Sequence, residues 1–477
     1  MSAQYDYNDA AGEGIPSLVA QYEAQQKMGN VRYLDLDKYL DIIEFYEQGF
    51  LPEKALAAVE KGLSLYPFSA QLYIKQSQIL LDLGKAEAAN AALDKAHSYE
   101  PDGLDILLTR VEIYNRLQYF DEAHDLLEKA RERVSETDEE YLDILLLEAA
   151  LCESQHQFEL AFDNLYSILQ QAADYEPAAI RLRMLLEQVE TSFLTQILNL
   201  LQSLVDNSPY SHWAWTNLGF AQGRLNDIDA ALEAFDYAVV IDETFAFARY
   251  DAVDLLMNAE RYTEAAKILA DCISVFGAHA ETYLRLAEAH YELKNHSIAL
   301  SFCEKAVKMD SCDGRVYELI GDIYLETEQP QKALHNFELA LQADKSNPDF
   351  ALSLASAHAA LFNFQKAHDY YQKAIALEID NTDYWFAYLE FLIDESLYNL
   401  GFVLVETARE QFSTPLLDYA EAALLILSGK RQEGLLLLMQ TLQVAFAESN
   451  FIFELAPDLA KDTAVMEWVD LFAKQQK

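Results

Sequence analysis

Residues 212–245, HWAWTNLGFAQGRLNDIDAALEAFDYAVVIDETF, contain the pattern that decides the fold of this 477-residue chain. The first part places Trp215 and Leu218 three residues apart, and the second part places Ala231 and Phe235 four residues apart. This spacing puts the side chains on one face of a helix. An Asn-Asp pair between the two parts is typical of a turn. The stretch therefore predicts two helices joined by a short turn.

The same pattern recurs along most of the chain. A column of mostly small residues marks each second helix: Ala55, Ala89, Ala123, Ala161, Ile197, Ala231, Ala265, Ala299, Ala333, Ala367 and Gly401. Successive members are 34 residues apart, except for one interval of 38 and one of 36. Small side chains let two antiparallel helices approach closely, while a parallel column of large residues fills the space between neighbouring pairs. The repeat at 178–211 is degenerate, because Ile197 replaces a small residue and Arg181 a large one.

The repeats resemble the tetratricopeptide repeat, whose 34-residue consensus contains W-x₂-L-G-x₂-Y, A-x₃-F and a closing proline. The stretches at 212–245 and 314–347 match it best, and the resemblance covers about residues 36–445. It implies an all-α fold, a right-handed α-solenoid superhelix of about twelve tandem helix-turn-helix repeats with capping helices. A single repeat is too small to be stable, so each gains its core from its neighbours.

The ends and one insertion suggest how the chain is organised. Residues 1–35 are expected to form an N-terminal tail and a capping helix. Repeats 1–3 fill residues 36–141 and finish in an extended connection, and repeats 4–12 fill residues 142–445. Residues 446–477 are expected to form capping helices, with a docking helix for a partner as the alternative. One cooperative solenoid is favoured over separate domains, because contacts between neighbours continue through the insertion.

Composition excludes several classes of function. The 79 Asp and Glu residues against 34 Lys and Arg give a net charge of -45, which repels nucleic acid. The 15 glycines and 10 prolines are too few for a turn-rich β fold or a glycine-rich phosphate loop. No basic leader and no apolar stretch of membrane-spanning length stands in the sequence. Four cysteines without CxxC spacing predict reduced thiols, so we expect a cytoplasmic protein that does not insert into membranes.

A search for catalytic chemistry finds no site. The sequence has no GxGxxG, GxxxxGK[ST], HExxH or GxSxG motif, and its ten histidines are scattered. Acidic pairs are so frequent on the predicted helices that pairing carries no weight for acid–base catalysis. Every segment belongs to a repeat or a cap. We therefore predict a protein that is not an enzyme, with no catalytic residues, no metal and no cofactor.

The resemblance places the first helix of each repeat on the concave face of the solenoid, where this family binds partners. The residues expected to line this groove and bind a partner are Arg183, Trp213, Asn217, Phe220, Arg224, Phe247, Tyr250, Asp254, Leu284 and Glu288. Aromatic rings outside the core columns are typical of interaction sites when they are exposed. The alternative is that these rings pack on the adjacent first helix. The family's Lys-Asn clamp for acidic chaperone tails is absent, since only Asn217 matches it.

These patterns predict a scaffold or adaptor for protein–protein interaction. Its partner would be another protein, held as a peptide or a helix that carries apolar anchors and basic residues. The alternatives are a structural assembly or oligomerisation module, or a regulatory sensor of a short peptide or small ligand. The oligomeric state stays open.

Overall fold

The computed structural model describes residues 14–27, 34–101, 103–135 and 137–475, and no strand occurs among them. These residues form 27 α-helices and two short 3-10 helices, Phe446–Glu448 and Pro457–Lys461. The α-helices are α1 (Ile15–Lys27), α2 (Leu36–Gln48), α3 (Pro52–Leu65), α4 (Ala70–Asp82), α5 (Ala86–Tyr99), α6 (Leu104–Arg116), α7 (Phe120–Arg131), α8 (Glu140–Ser154), α9 (Phe158–Gln171), α10 (Glu176–Gln188), α11 (Thr191–Asn207), α12 (His212–Arg224), α13 (Ile228–Ile241), α14 (Ala246–Asn258), α15 (Tyr262–Phe276), α16 (Ala280–Glu292), α17 (His296–Met309), α18 (Gly314–Glu326), α19 (Pro330–Ala343), α20 (Pro348–Ala360), α21 (Phe364–Leu377), α22 (Thr382–Asp394), α23 (Tyr398–Gln411), α24 (Pro415–Leu427), α25 (Arg431–Val444), α26 (Phe451–Leu455) and α27 (Thr463–Gln475). The predicted all-α class is confirmed.

Helices α2 to α25 follow one another as twelve pairs, each an even-numbered first helix and an odd-numbered second helix. A first helix such as α4 packs on its own second helix, α5, and on the first helix of the next pair, α6. The second helix α5 packs on α6 as well. This is the tandem hairpin architecture of an α-solenoid.

The hairpins belong to two compact bodies, Met1–Ala252 and Val253–Lys477. We call them the N-terminal body and the C-terminal body and describe each by itself. The domain limits predicted at residues 35, 141 and 445 stay predictions.

Small residues bring the two helices of a hairpin together, as the columns predict. Ala89 and Ala333 are completely buried in their second helices. Gly321 on α18 faces the ring of Phe337 on α19 so closely that a Cβ atom there would lie 2.3 Å from the ring. Only the hydrogen atom of a glycine fits between this backbone and the ring.

The turn inside each hairpin uses one residue in the left-handed region. Eleven hairpins have such a residue between their helices: Phe50, Gly84, Gln118, His156, Asn226, Glu260, Lys294, Glu328, Phe362, Ser396 and Gly429. The next amide often reaches back five residues, as from Gln329 N to Tyr324 O at 2.7 Å and from Asn363 N to His358 O at 2.9 Å. This bond ends the first helix in a Schellman motif.

The hairpin of α10 and α11 departs from the others. Its connection, Val189 and Glu190, is extended, with φ of -79° and -72° and no left-handed residue. α10 packs on α9 and α12, while α11 packs on α12 and, less extensively, on α9. Ile197 and Leu204 occupy both columns that hold small residues elsewhere, and both are buried. Branched side chains at these positions keep two helices apart, so the degeneracy seen in the sequence is structural.

Short helices cover both ends of the described chain. Val19 and Tyr22 of α1 are buried against α2, where the Tyr22 and Tyr39 ring centroids lie 6.2 Å apart. At the other end α26 packs on α22 and α24, and α27 packs on α25. Such helices shield apolar faces that would otherwise be open to water.

No single helix among the described residues is long and apolar enough to cross a membrane. One pair, Arg431–Val444 and Phe446–Leu455, reaches that length and composition together, but it is bent by 119°.

Candidate interaction surface

The first helices of successive hairpins form one surface of each body, which we call the first-helix face. Polar bridges join neighbouring first helices across it. In the N-terminal body these include Lys75 to Glu47 at 2.8 Å, Asn115 Nδ2 to the Ala150 carbonyl at 3.3 Å, and Arg181 to Glu153 at 3.0 Å. In the C-terminal body they include Arg285 to Asp254 at 2.6 Å, Arg315 to Glu281 at 2.7 Å, Ser353 Oγ to Glu318 at 2.9 Å, and the Tyr384 hydroxyl to Asp349 at 2.8 Å. The basic side chains named here are therefore already paired with carboxylates of the same chain.

Arg183, predicted to bind a partner, makes a dense set of internal contacts. Its guanidinium lies 3.0 Å from the centroid of the Phe220 ring. Nε and Nη2 donate to the two oxygens of Asp251 at 3.2 and 2.9 Å, and Nη1 donates to Glu187 at 2.8 Å. The side chains of Arg183 and Asp251 are 18% and 13% exposed. One side chain thus ties α10, α12 and α14 together through stacking and a bidentate ion pair.

Arg224 and Asn217 on α12 also donate hydrogen bonds to backbone carbonyls of α10 and of the residue that follows it. Arg224 Nη1 lies 2.6, 2.7 and 3.2 Å from the carbonyl oxygens of Leu186, Glu187 and Val189. These are carbonyls at the C-terminal end of α10 that lack partners within the helix. Asn217 Nδ2 donates to the Ala179 carbonyl at 3.2 Å, and its Oδ1 has no hydrogen-bond partner among the described residues.

The expectation that the predicted aromatic cluster is exposed is wrong for Trp213. Its side chain is 4% exposed, with its ring centroid 4.8 Å from that of Phe245 and 5.2 Å from that of Phe247. Asn217 and Leu284 are each 1% exposed. These three side chains face packed neighbours instead of solvent, as the alternative reading of the sequence allowed.

Three of the predicted rings stay accessible to different degrees. Phe247 is 44% exposed, and Phe220 and Tyr250 are partly buried. Phe247 contacts both Trp213 and Phe245, whose centroid lies 5.6 Å away. The buried rings therefore hold Phe247 at the surface of the first-helix face.

Two predicted acidic residues lie on the C-terminal body. The Asp254 side chain is 56% exposed beside Arg285. Burial raises the pKa of Glu288, and so does nearby Glu281, while Arg285 and Arg315 oppose the shift.

Two carboxylates outside the predicted set have raised pKa values, chiefly because they are buried. Burial and neighbouring Asp82 raise the pKa of Glu112 in the N-terminal body to about 7. Burial together with Glu318 and Glu326 raises the pKa of Asp322 in the C-terminal body to about 7. Carboxylates that resist ionisation are those that would gain most from an added positive charge.

Sequence reasoning missed Asp251 and Phe245. Asp251 lies 68 residues from Arg183, exactly two repeats along the chain, and either residue alone resembles the many other surface charges. Phe245 stands outside the columns, so its packing on Trp213 was not visible from the spacing.

Other chemistry is scarce on the described chain. All four cysteines are free, with Cys152, Cys272 and Cys303 buried and Cys312 exposed. Among the described residues, no group of three or more His, Cys, Asp or Glu side chains is placed to hold a metal ion.

Comparison with known proteins agrees with this architecture. The family described as "Tetratricopeptide repeat" matches residues 250–313 and 319–383, and the family described as "Tetratricopeptide repeat protein 21 ARM repeat" matches residues 69–184. The chain is a tetratricopeptide repeat protein. Proteins of this family generally mediate interactions between proteins and are generally non-catalytic.

Several relatives share this similarity at low identity. The TPR repeat-containing protein YpiA of Bacillus subtilis is 19% identical over 401 residues, which cover 84% of this chain and 92% of that protein. Superkiller protein 3 of Schizosaccharomyces pombe is 27% identical over 157 residues, covering 30% of this chain and 11% of that protein. A crystal structure of a tetratricopeptide repeat protein from Parabacteroides merdae is 19% identical, with 60% of this chain and 98% of that one covered and a TM-score of 0.36.

Proposed function

We propose that this protein is a non-catalytic scaffold or adaptor that binds a peptide or helical segment of a partner protein in a concave groove lined by its first helices. One observation carries the proposal. Phe247, a large apolar side chain, is 44% exposed on the first-helix face, where Phe220 and Tyr250 are partly accessible as well. Exposed rings on a rigid support are typical anchors of protein interfaces.

The rigid support comes from the packing described above. Trp213 and Phe245 lie behind Phe247, and Arg183 is stacked on Phe220 and paired with Asp251. A surface whose side chains are already fixed loses little conformational entropy when a partner binds. The buried Trp213 contributes to binding only indirectly, by positioning Phe247.

The charge of the face defines the chemistry of the partner. Arg181 and Arg183 are paired with carboxylates of the chain, and the pKa of Glu112 is raised even though Arg181 and Arg116 oppose the shift. A segment with lysine or arginine beside apolar anchors complements this surface. We expect charge to increase the association rate and to make binding sensitive to salt.

Selection from a displayed library of random peptides tests the proposal with purified full-length protein. We expect the selected peptides to combine aromatic or aliphatic residues with lysine or arginine. Phe247→Ala should weaken the affinity of a selected peptide about tenfold, a typical loss for an interface anchor. Fluorescence anisotropy measures the dissociation constant, and circular dichroism checks that the helices are retained.

Tyr210→Ala is the matched control, because Tyr210 lies in the same body and is 84% exposed but outside the first helices. Its peptide affinity should equal that of the unchanged protein. If the library yields no binder, or if Tyr210→Ala weakens binding as much as Phe247→Ala does, the assignment to the first-helix face is wrong.

The proposal includes a cytoplasmic location. All four cysteines are free thiols, and three of them are buried. Free thiols support this location, because reducing compartments keep cysteines from forming disulfides.

A further inference from the structure

Two histidines of the C-terminal body lie in the same structural position two repeats apart. His290 is on α16 and His358 is on α20. Each ring stacks on an aromatic ring of its own second helix, His290 on Phe302 at 5.6 Å and 13°, and His358 on Tyr370 at 5.5 Å and 14°. Tyr324 holds the same position in the hairpin between them. Three successive hairpins thus place a flat ring at this position, and in two of them the ring is titratable.

The environment of His358 suits only the neutral form. Its side chain is 3% exposed, and no described residue forms a hydrogen bond with its Nδ1. The same nitrogen of His290 also lacks a partner. A protonated imidazole needs acceptors or water at both nitrogens, and a buried charge without them is costly.

Charged groups on two of the helices that contact α20 act on His358. Lys366 on α21 opposes protonation, and Glu338 on α19 favours it. Helix α18 also packs on α20 and carries Asp322 and Glu318, and Glu318 accepts a hydrogen bond from Ser353 on the first-helix face. Helix α22 contacts α20 through the hydrogen bond of the Tyr384 hydroxyl to Asp349. Burial has the largest effect and lowers the pKa of His358.

At His290 burial alone lowers the pKa. On α17 the ammonium group of Lys305 lies 4.5 Å from the centroid of Phe302, the ring on which His290 stacks.

We propose that the stack of His358 on Tyr370 is a proton-sensitive latch, which holds α20 against α21 while the imidazole is neutral and releases the hairpin in mildly acidic solution. The stack of His290 on Phe302 acts in the same way on α16 and α17. Acidification would thereby loosen two specific hairpins of the C-terminal body while Tyr324 keeps the hairpin between them closed.

The direction in which pH changes the stability of the hairpin follows from the lowered pKa of the histidine. A histidine whose pKa is lowered in the folded state contributes stability that is present above its unfolded pKa, about 6.5, and is lost as the pH falls below it. Between about pH 7.5 and about pH 5.5 the opened hairpin takes up a proton that the closed one excludes. This increases the opening equilibrium constant by at most roughly tenfold, the limit for a closed hairpin that takes up no proton in this range.

A local measurement is needed because acidic groups act in the opposite direction. The pKa of Asp322 on α18 is raised to about 7, so its protonation stabilises the fold as the pH falls. Hydrogen–deuterium exchange of the full-length protein, corrected for the intrinsic pH dependence of exchange, separates the hairpins. Peptides from residues 348–377 should lose protection, by up to about tenfold, between about pH 7.5 and about pH 5.5.

His358→Tyr introduces the residue that Tyr324 provides at this position, and it should remove the loss of protection. If this variant does not fold, His358→Leu replaces it, because Leu392 holds the same position of α22. His335→Tyr is the control, since His335 is exposed on α19. The latch is refuted if residues 348–377 keep their protection at the lower pH, or if His335→Tyr removes the loss as well as the variants of His358 do.

Discussion

Glycines and alanines set the distance between helices at single positions. The Ala column lies where second helices meet first helices, and its members such as Ala299 and Ala333 are fully buried. Gly321 is the extreme case, because the Phe337 ring occupies the place of its missing side chain. A methyl group at this position would clash with the ring unless the ring or the backbone shifts.

Gly321→Ala should therefore destabilise the protein. We expect the free energy of unfolding to fall by about 1 to 3 kcal/mol, even though alanine favours a helix by about 1 kcal/mol over glycine. Urea denaturation of the full-length protein, followed by circular dichroism, measures the change in the transition of the C-terminal body.

Gly62→Ala is the matched control, because the nearest atom to a Cβ there is the flexible end of Leu72, at 3.1 Å. It should cost much less than Gly321→Ala. Equal or greater stability of Gly321→Ala would contradict the tight approach of this glycine to Phe337.

The sequence predicted these packing columns but not the exposure of individual rings. Helical periodicity shows which side of a helix a residue occupies, so it placed Trp213 and Phe247 together. It does not show how far a neighbouring hairpin covers that side. The 4% exposure of Trp213 and the 44% exposure of Phe247 depend on Phe245 in the next loop, which no column includes.

At the scale of the hairpin, a left-handed turn residue ends the first helix in nearly every repeat. Only two of these positions hold glycine, Gly84 and Gly429. Apart from Asn226, whose residue type adopts this region readily, the other positions hold side chains that disfavour it, so most turns contain local strain. A consensus of helix-forming residues did not reveal this, since the turn sequences have little in common.

Replacing one strained turn residue by glycine should stabilise its hairpin. Glu328 has φ of 57° between α18 and α19. We expect Glu328→Gly to raise the free energy of unfolding by about 0.5 to 1 kcal/mol, because glycine adopts this conformation without a steric penalty. Thermal and urea denaturation measure the change.

The connection of α10 and α11 offers a control for this effect. Glu190 has φ of -72°, so Glu190→Gly should not stabilise the protein and should increase only the entropy of the unfolded chain. If both substitutions change stability alike, backbone strain is not the cause.

At the scale of the whole molecule, charge is far from balanced. The net charge of -45 is spread over 477 residues, and cations such as Arg181 and Arg183 are already paired with carboxylates of the chain. Repulsion among the remaining carboxylates opposes folding of both bodies. Composition predicted this excess, whereas the ion-pair partners required the folded structure.

Salt should therefore stabilise the protein. Raising the concentration of sodium chloride from about 0.02 M to about 0.5 M shortens the screening length several-fold. We expect a gain on the order of 1 kcal/mol, seen as a rise in Tm of about 2 to 4 °C. Differential scanning calorimetry measures it, with sorbitol at equal osmolality as the control, and a constant or lower Tm in salt would contradict net repulsion.

The bridges between first helices have a consequence for biosynthesis. Most join residues about one repeat apart, such as Arg181 and Glu153 over 28 residues or Tyr384 and Asp349 over 35. Such a low contact order lets each hairpin fold on its predecessor while the ribosome is still translating the next. The pair of Arg183 and Asp251 spans 68 residues. This ion pair of α10 can therefore form only after α14 has been synthesised.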